Sequence, residues 1–378
     1  MKILIATNAF KGTMGPLAAA RAVERAVKRV APGAQIELFP VSDGGDGLLE
    51  AFLFRGRGVR RVLNAPGPVF ESVRAEWAIS GNAAIIEMAQ ASGLKYLPKN
   101  RLMPLDATTF GVGRLLLAAA RSGARSALVG LGGSASNDGG AGCAAGFGFR
   151  LLDKNGAPIP PGAKGLLKLE RIVPPPFFKK KGGMKIIALT DVDNPLTGPR
   201  GSARIYGPQK GAGPAGVAVI ERALLHYSRV VKRELGVEIK NIKGGAAAGG
   251  LGAGLYAFFG AELVSGADYA LRRLGFERAL ERCDRVITGE GRFDAQSFCG
   301  KAPVAVSRLA GRYGKPALLV CGSCTVKDRR RLRANGISEI IALDEVLPLT
   351  ELAGPPAGVL TKGLLIPGPV LSRFLLLD

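Results

Sequence analysis

Four times along this chain a short apolar run breaks into a loop and then into a helix-like pattern, and that rhythm limits the folds open to it. Lys2–Ala6 is followed by the loop Thr7–Thr13 and by a stretch in which Ala19, Val23, Ala26, Val27 and Val30 share one helical face. Pro16 stands where that helix begins, and Ala31-Pro32-Gly33 stops it. Gln35–Phe39 alternates like a strand, Pro40 ends it, and Val41–Gly47 leads into a helix near Leu48. Ala127–Leu131 runs into Gly132–Gly142, and Arg285–Ile287 into the loop Thr288–Ala302 and a helix over Val304–Arg312. Strand, loop and helix in this order imply parallel strands joined by right-handed crossovers. Ligands of such sheets bind at the C-terminal strand ends, where these loops fall.

The rhythm changes after Asn64. Val69–Gly93 holds short strand-like runs between turn signals, which reads as a meander opening a different domain, and the βα rhythm returns at Cys283. A chain of 378 residues also exceeds one ordinary core. The expectation is an α/β protein of two domains. Residues 1–64 and 283–378 form a flavodoxin-like parallel-sheet domain built from both chain ends, and 65–282 form an inserted mixed α/β domain.

Composition excludes several classes. The five cysteines are scattered and odd in number, which argues against a disulfide framework and for a reducing, cytoplasmic setting. Ile3–Ala6 is too short for a signal-peptide core, and the nearly uncharged Gly244–Ala261 is too rich in Gly and Ala to span a membrane. The net charge of +22 raises a nucleic-acid binder as an alternative. The basic runs Arg55–Arg61, Lys179–Lys185 and Lys327–Arg333 are nevertheless dispersed, and only Phe177-Phe178 places aromatics beside one. They read as solvated loops, so nucleic acid is not the expected partner.

Four loop regions carry the chemistry. Gly132-Gly133-Ser134-Ala135-Ser136-Asn137-Asp138-Gly139-Gly140-Ala141-Gly142 has five glycines, whose backbone amides can approach a phosphate ahead of a helix N-terminus. Ser134 and Ser136 add hydroxyls, and Asp138 is a candidate for Mg²⁺ or a ribose. It is not a P-loop, because no Gly-Lys-Ser/Thr follows. In Ser42-Asp43-Gly44-Gly45-Asp46-Gly47, Asp43 is a candidate for a substrate hydroxyl or a metal, and Asp46 for a helix cap. In Thr288–Lys301, Arg292 and Lys301 suit phosphate charge, while Glu290 and Asp294 suit Mg²⁺ or a hydroxyl. Asp191 and Asp193 follow the strand from Lys185 and read as one functional acid and one bystander. Nearby, Arg204, Gln209 and Lys210 offer a grip for a carboxylate. The one histidine, His226, has no partner in sequence and reads as structural. Cys321-Gly322-Ser323-Cys324 is a lone C-x-x-C and reads as a turn.

These motifs, in this order, resemble the bacterial glycerate kinase family of the glucarate and glyoxylate pathways. The resemblance rests on Lys2–Ala6 with Phe10-Lys11-Gly12, Asp43-Gly44-Gly45, Gly132–Gly142, Asp191 with Asn194-Pro195-Leu196, Gly207-Pro208-Gln209-Lys210-Gly211, and Gly289-Glu290-Gly291-Arg292 with Asp294 and Gly300-Lys301. It implies ATP-dependent, Mg²⁺-dependent phosphorylation of D-glycerate, with 2-phosphoglycerate favoured over 3-phosphoglycerate and the active site in the cleft between domains. In its terms Asp191, Lys11 and Lys301 are catalytic. Asn8, Asp43, Gly44, Gly45, Arg204, Gln209, Lys210 and Arg292 bind substrate. Gly132, Gly133, Ser134, Ser136, Asn137, Asp138, Gly139, Gly140, Gly289 and Glu290 bind nucleotide, and Asp191 and Asp294 hold metal. A small-molecule substrate and no membrane are expected, and a homodimer is compatible. Three departures stand out: Asn8-Ala9 replaces Asp-Ser, Ser136 replaces Thr, and a Pro-, Gly- and Leu-rich tail replaces the final helix, so that the last residues are expected to pack differently or loosely. The first departure motivates the alternative of a weakened relative that binds ligand without turnover.

Overall fold

The computed structural model describes residues 1–56, 58–178, 183–347, 355–365 and 368–376. Arg57, residues 179–182 of the second basic run, and Gly354 and Pro367 of the tail lie outside the described residues. In chain order the strands are β1 (Lys2–Thr7), β2 (Gln35–Leu38), β3 (Gly58–Pro66), β4 (Ser72–Ser80), β5 (Ala83–Glu87), β6 (Ser126–Gly130), β7 (Arg150–Leu152), β8 (Arg171–Val173), β9 (Lys185–Thr190), β10 (Glu262–Ser265), β11 (Arg285–Phe293), β12 (Ala317–Cys324) and β13 (Ile337–Ala342).

The chain divides into two compact units, Met1–Gly56 with Gly266–Asp378, and Arg57–Ser265. The first unit is a parallel sheet of order β13-β12-β11-β1-β2. Read from the other edge, this is the flavodoxin-like order, whose ligand crevice opens where the strand order reverses. Here that point lies between β1 and β11. Period-two alternation covers both faces. Ile3 and Ile5 pack with Ala19, Val23 and Val27 of the helix Pro16–Val30. Leu4 and Ala6 pack with Leu271, Phe276 and Val306 on the opposite face. The units divide at residues 56 and 266 rather than at 64 and 283. Gly58–Pro66 pairs with β4 in the other sheet, while the helices Gly266–Leu274 and Phe276–Glu281 bury Leu271 and Phe276 under the first.

Two sequence expectations fail in this unit. The loop assigned to Thr288–Ala302 begins later, because β11 continues to Phe293 and pairs with β12 as far as Cys324. The described part of the tail is helical and packed. Helices Pro356–Leu365 and Gly368–Leu376 place Leu360, Leu364, Leu371 and Phe374 in the core around Pro16–Val30. Thr361 Oγ1 donates to Ala22 O at 3.1 Å. Leucines four apart make a helical stripe, and Pro356 begins its helix, where a missing N–H costs little.

The second unit carries the sheet β10-β9-β6-β5-β4-β3 and a separate β7-β8 pair. Its β3, β4 and β5 are an antiparallel meander, whereas β5, β6, β9 and β10 are parallel. Trp77, Val129, Leu224, Tyr227 and Phe258 belong to its core. His226 is structural, its Nε2 lying 2.8 Å from Leu169 O. Among the described residues no helix is long and apolar enough to cross a membrane.

Candidate functional site

In the first unit, the loops after β1 and β11 border a cavity of about 480 Å³ lined by Lys11, Thr13, Glu290, Arg292, Asp294 and Lys301, among others. Its position at the reversal of strand order follows from topology alone. Three glycines in β11 and β12 let these strands and the loop after β1 approach one another. A Cβ on Gly289 would meet Val320 O at 2.3 Å, one on Gly322 would meet Gly291 O at 2.5 Å, and one on Gly291 would meet Lys11 N at 3.3 Å. Glu290 is buried and accepts from Ser297 Oγ at 2.7 Å and Lys301 Nζ at 3.3 Å. Burial raises its pKa, Lys301 and Ser297 oppose the rise, and nearby Asp43 adds to it. Lys11 and Arg292 are exposed at the rim.

Asn8 and Asp43 are both buried, and Asn8 Nδ2 donates to Asp43 Oδ2 at 3.0 Å. Asp43 Oδ1 accepts from Gly45 N at 3.2 Å, and Gly44 turns with φ +95°. The Asn8 amide is therefore a donor to the acid that the sequence analysis singled out. The N-cap position of the helix Leu48–Arg55 is Gly47, with φ +89°, and Asp46 is exposed one residue before it. Asp294 is half-buried on the cavity wall. It caps the short turn Ala295–Cys299, Oδ1 accepting from Gln296 N at 3.0 Å, and its Oδ2 lies 3.5 Å from Arg292 Nε. The Cys321 to Cys324 segment is the end of β12 rather than a free turn.

In the second unit, β6 and β9 are adjacent parallel strands, and Leu131 N bonds to Leu189 O at 3.1 Å. The glycine-rich loop from Gly132 and the segment from Asp191 therefore leave one sheet edge side by side. Asp191 is half-buried. Val192 N turns back to Thr190 Oγ1 at 3.2 Å, while Asp193 is exposed and 3.4 Å from Arg200. Gly133 faces solvent, Gly132 is half-buried and Ser134 sits at the edge of burial, but the rest of the loop turns inward as far as Ala141.

That inward part answers to packing. Asp138 is 1% exposed, and its carboxylate accepts from Thr108 Oγ1, Thr109 N, Thr109 Oγ1, Gly140 N and Gly142 N at 2.8–3.2 Å. It clamps the loop to the start of the helix Phe110–Arg121, so the expected Mg²⁺ or ribose role is not open to it. Burial raises its pKa against those hydrogen bonds. Gly139 and Gly140 have positive φ, and a Cβ on Gly139 would meet the Tyr227 ring at 2.7 Å. Lys210 is 2% exposed and donates to Ser136 O at 2.6 Å. It supports the loop from beneath and cannot grip a substrate, whereas Arg204 and Gln209 are exposed. Burial lowers the Lys210 pKa to about 7, opposed by Asp138. Ser136 Oγ and Asn137 Oδ1 are buried without a hydrogen-bond partner among the described residues.

Sequence reasoning missed the other half of this arrangement. Ala248, Gly249 and Gly250 are left-handed, and a Cβ on Gly249 would lie 1.9 Å from Ser136 O. Gly139 N donates to Gly249 O at 3.0 Å. The signal was present in the Gly- and Ala-rich run after Lys243, which was weighed only as a membrane span. Thr108-Thr109, the donors to Asp138, carried no motif.

A flavodoxin-like unit with a cation-lined crevice, together with a sheet edge that sets a glycine-rich amide loop beside a carboxylate, defines a phosphotransferase of the α/β class. The glycerate kinase family pattern matches residues 3–361. The chain is 44% identical to glycerate kinase of Halalkalibacterium halodurans over 85% of each chain. It is 42% identical to glycerate 2-kinase of Escherichia coli K12 over 86% of each. A crystal structure assigned to glycerate kinase 2 of Salmonella typhimurium LT2 superposes with a TM-score of 0.81 at 34% identity, covering 99% of this chain and 98% of that one. This chain belongs to the glycerate kinase family.

Proposed function

We propose that the protein transfers the γ-phosphoryl group of ATP to D-glycerate, giving 2-phosphoglycerate, with Mg²⁺ and in the cytoplasm. The observation that carries this reading is the pairing of Gly132-Gly133 with Asp191 at adjacent strand ends. Phosphoryl transfer needs little covalent help, so positioning and charge neutralisation suffice. Amides of half-buried Gly132 and exposed Gly133, with Ser134, hold the nucleotide phosphates, and the inward residues Ser136–Gly140 keep that turn in shape. Asp191 accepts the hydroxyl proton or holds the metal. Its hard oxygen donors suit Mg²⁺, which is held through one or two carboxylates and the phosphates themselves. Lys11, Lys301 and Arg292 neutralise charge on glycerate or on the group in transfer, and Asn8, Asp43, Gly44 and Gly45 receive the substrate hydroxyls. Arg204 and Gln209 remain open to a carboxylate. The two units are read as the domains of the enzyme. The regiochemistry rests on the name of the Escherichia coli relative.

The Asn8–Asp43 hydrogen bond speaks for turnover over a merely ligand-binding relative, because Asn8 keeps a donor on that acid. The test is direct. With Mg-ATP the purified protein should phosphorylate D-glycerate far better than glycerol, and phosphorus NMR should show the 2-phosphate. Equal use of glycerol would overturn the carboxylate-binding roles, and a 3-phosphate product would overturn the regiochemistry alone.

A further inference from the structure

A carboxylate that no motif predicted stands on the same sheet edge. Glu87 ends β5 and is 6% exposed. In register it lies beside Gly130 of β6, which lies beside Leu189 of β9. Neighbouring strands are about 4.8 Å apart, so Glu87 and Leu189 have Cα atoms about 10 Å apart. Ala84, Ile86, Val129 and Ala188 point into the unit's core, so alternation sends Glu87 and Leu189 to the opposite face, with Asp191 two residues beyond Leu189. Gly130, between them, has no side chain.

Burying a carboxylate costs several kcal/mol, so a buried one needs partners. Gln90 Nε2 donates to Glu87 at 3.1 Å, and Lys95 Nζ approaches Gln90 Oε1 at 3.4 Å. The chain that follows Glu87 is bonded along the phosphate loop. Met88 N donates to Gly130 O at 3.0 Å, Leu94 N to Gly133 O at 2.8 Å, and Ala135 N to Ser92 O at 2.9 Å. The backbone that fixes Glu87 thus also fixes the turn at Gly132-Gly133. Three consecutive parallel strands deliver a carboxylate, an amide loop and a second carboxylate to one edge. Two carboxylates flanking a phosphate cradle are the hard-oxygen set by which a divalent cation is commonly shared with phosphates.

We propose that Glu87 is the second carboxylate of the phosphoryl-transfer site, acting with Asp191 on the divalent cation that accompanies the nucleotide. The proposal rests on the phosphotransferase reading above, but its test does not depend on glycerate. Mn²⁺ binding to the full chain in the presence of ADP, followed by electron paramagnetic resonance, is compared for wild type, Glu87→Gln and Gln90→Ala. Glu87→Gln should weaken Mn²⁺ by ~10-fold or more, the usual effect of disturbing a metal's supporting groups. ADP affinity without metal should change less than about twofold, since the amide loop is intact. Gln90→Ala, which keeps the carboxylate but removes its donor, should weaken Mn²⁺ less than Glu87→Gln does. Unchanged Mn²⁺ affinity in folded Glu87→Gln, or equal loss in Gln90→Ala, overturns the proposal. Should Glu87→Gln not fold, Glu87→Asp is read in its place: weakened Mn²⁺ binding supports the proposal and unchanged binding overturns it. Inertness toward D-glycerate with the Mn²⁺–ADP effect intact would sink the glycerate reading and leave this one standing.

Discussion

The loops at the strand ends of the first unit and the glycine-rich loop of the second use the same residue types to opposite ends. Around the first unit's cavity, charged groups line open space, and their pairs, such as Glu290 with Lys301 at 3.3 Å, are loose enough to be exchanged for a ligand. In the second unit the most charged residues of the motif are sealed inside. Asp138 is 1% exposed and Lys210 is 2% exposed. Several of its glycines make room for Tyr227, Thr108 and the Gly254 backbone rather than for a phosphate. A run of Gly, Ser, Asn and Asp is therefore two things at once, a short ligand-facing turn and a longer prop that fixes it. Only burial separates them.

The sharpest way to break that comparison is to remove the two aspartates in turn. Asp138→Ala would leave Thr109 N, Gly140 N and Gly142 N without an acceptor in a dry site. Loss of such a network costs about 3–5 kcal/mol, which urea unfolding should read. Asp43→Ala removes an acceptor for Asn8 Nδ2 and Gly45 N, and should cost about 1–2 kcal/mol while raising the glycerate KM. Equal destabilisation by the two would erase the distinction. Within the loop, Gly139→Val drives a Cβ to 2.7 Å from the Tyr227 ring at φ +64°, so about 2–3 kcal/mol of stability should go with it. Exposed Gly133→Ala should cost about 1–2 kcal/mol for its φ of +73° and weaken nucleotide binding in a folded protein. A Gly139→Val protein as stable as wild type would return that residue to the ligand-facing set.

What the sequence disclosed divides along the same line. The parallel sheet from both chain ends was legible because alternation in Lys2–Ala6 and the helical face from Ala19 to Val30 are local patterns. The motif loops were legible because glycine beside polar residues is rare away from turns and ligands. Lys210 was not, because a lysine among Gly, Pro and Gln reads as exposed, and its burial depends on Ser136, seventy-four positions away. Glu87 was hidden for the same reason: its neighbours Gly130 and Leu189 come from other strands. The tail was misread because proline and glycine were counted as breakers, whereas Pro356 opens a helix.

The two acids after β9 sharpen the comparison inside the ligand-facing set. Asp191→Asn keeps shape and loses charge, and kcat should fall by ~10²-fold or more, as for a lost acid–base group or metal contact. Glycerate KM should change much less. Asp193 lies exposed beside Arg200 at 3.4 Å, and a surface pair contributes little, so Asp193→Asn should leave kcat within about twofold. Equal losses would show that the segment, and not one carboxylate, is what matters.

The last contrast belongs to the prop, and it is a pH dependence. The Lys210 ammonium is held in a dry site against Ser136 O, with Asp138 as the nearby opposite charge, and its pKa is lowered to about 7. In the unfolded chain a lysine keeps its proton to about pH 10.4. Below pH 7 both states are protonated, and the folded state bears the full cost of the buried charge. Between pH 7 and 10 the folded protein has released a proton that the unfolded chain still holds, so rising pH favours the fold. Lysine 210 should therefore add about 2 kcal/mol of stability between pH 6.5 and 8.5, read as a shift in urea midpoint at constant slope. Lys210→Met fills the same apolar channel without a charge, and the difference between wild type and variant should shrink or reverse as pH climbs through that window. The contrast with the first unit is direct. Lys301 is ion-paired with Glu290 at 3.3 Å on the wall of its cavity, whereas Lys210 has a carbonyl as its hydrogen-bond acceptor. A wild-type-minus-Lys210→Met curve that is flat from pH 6.5 to 8.5 would mean that Lys210 is solvated in solution, and the sealed prop would lose its strongest support.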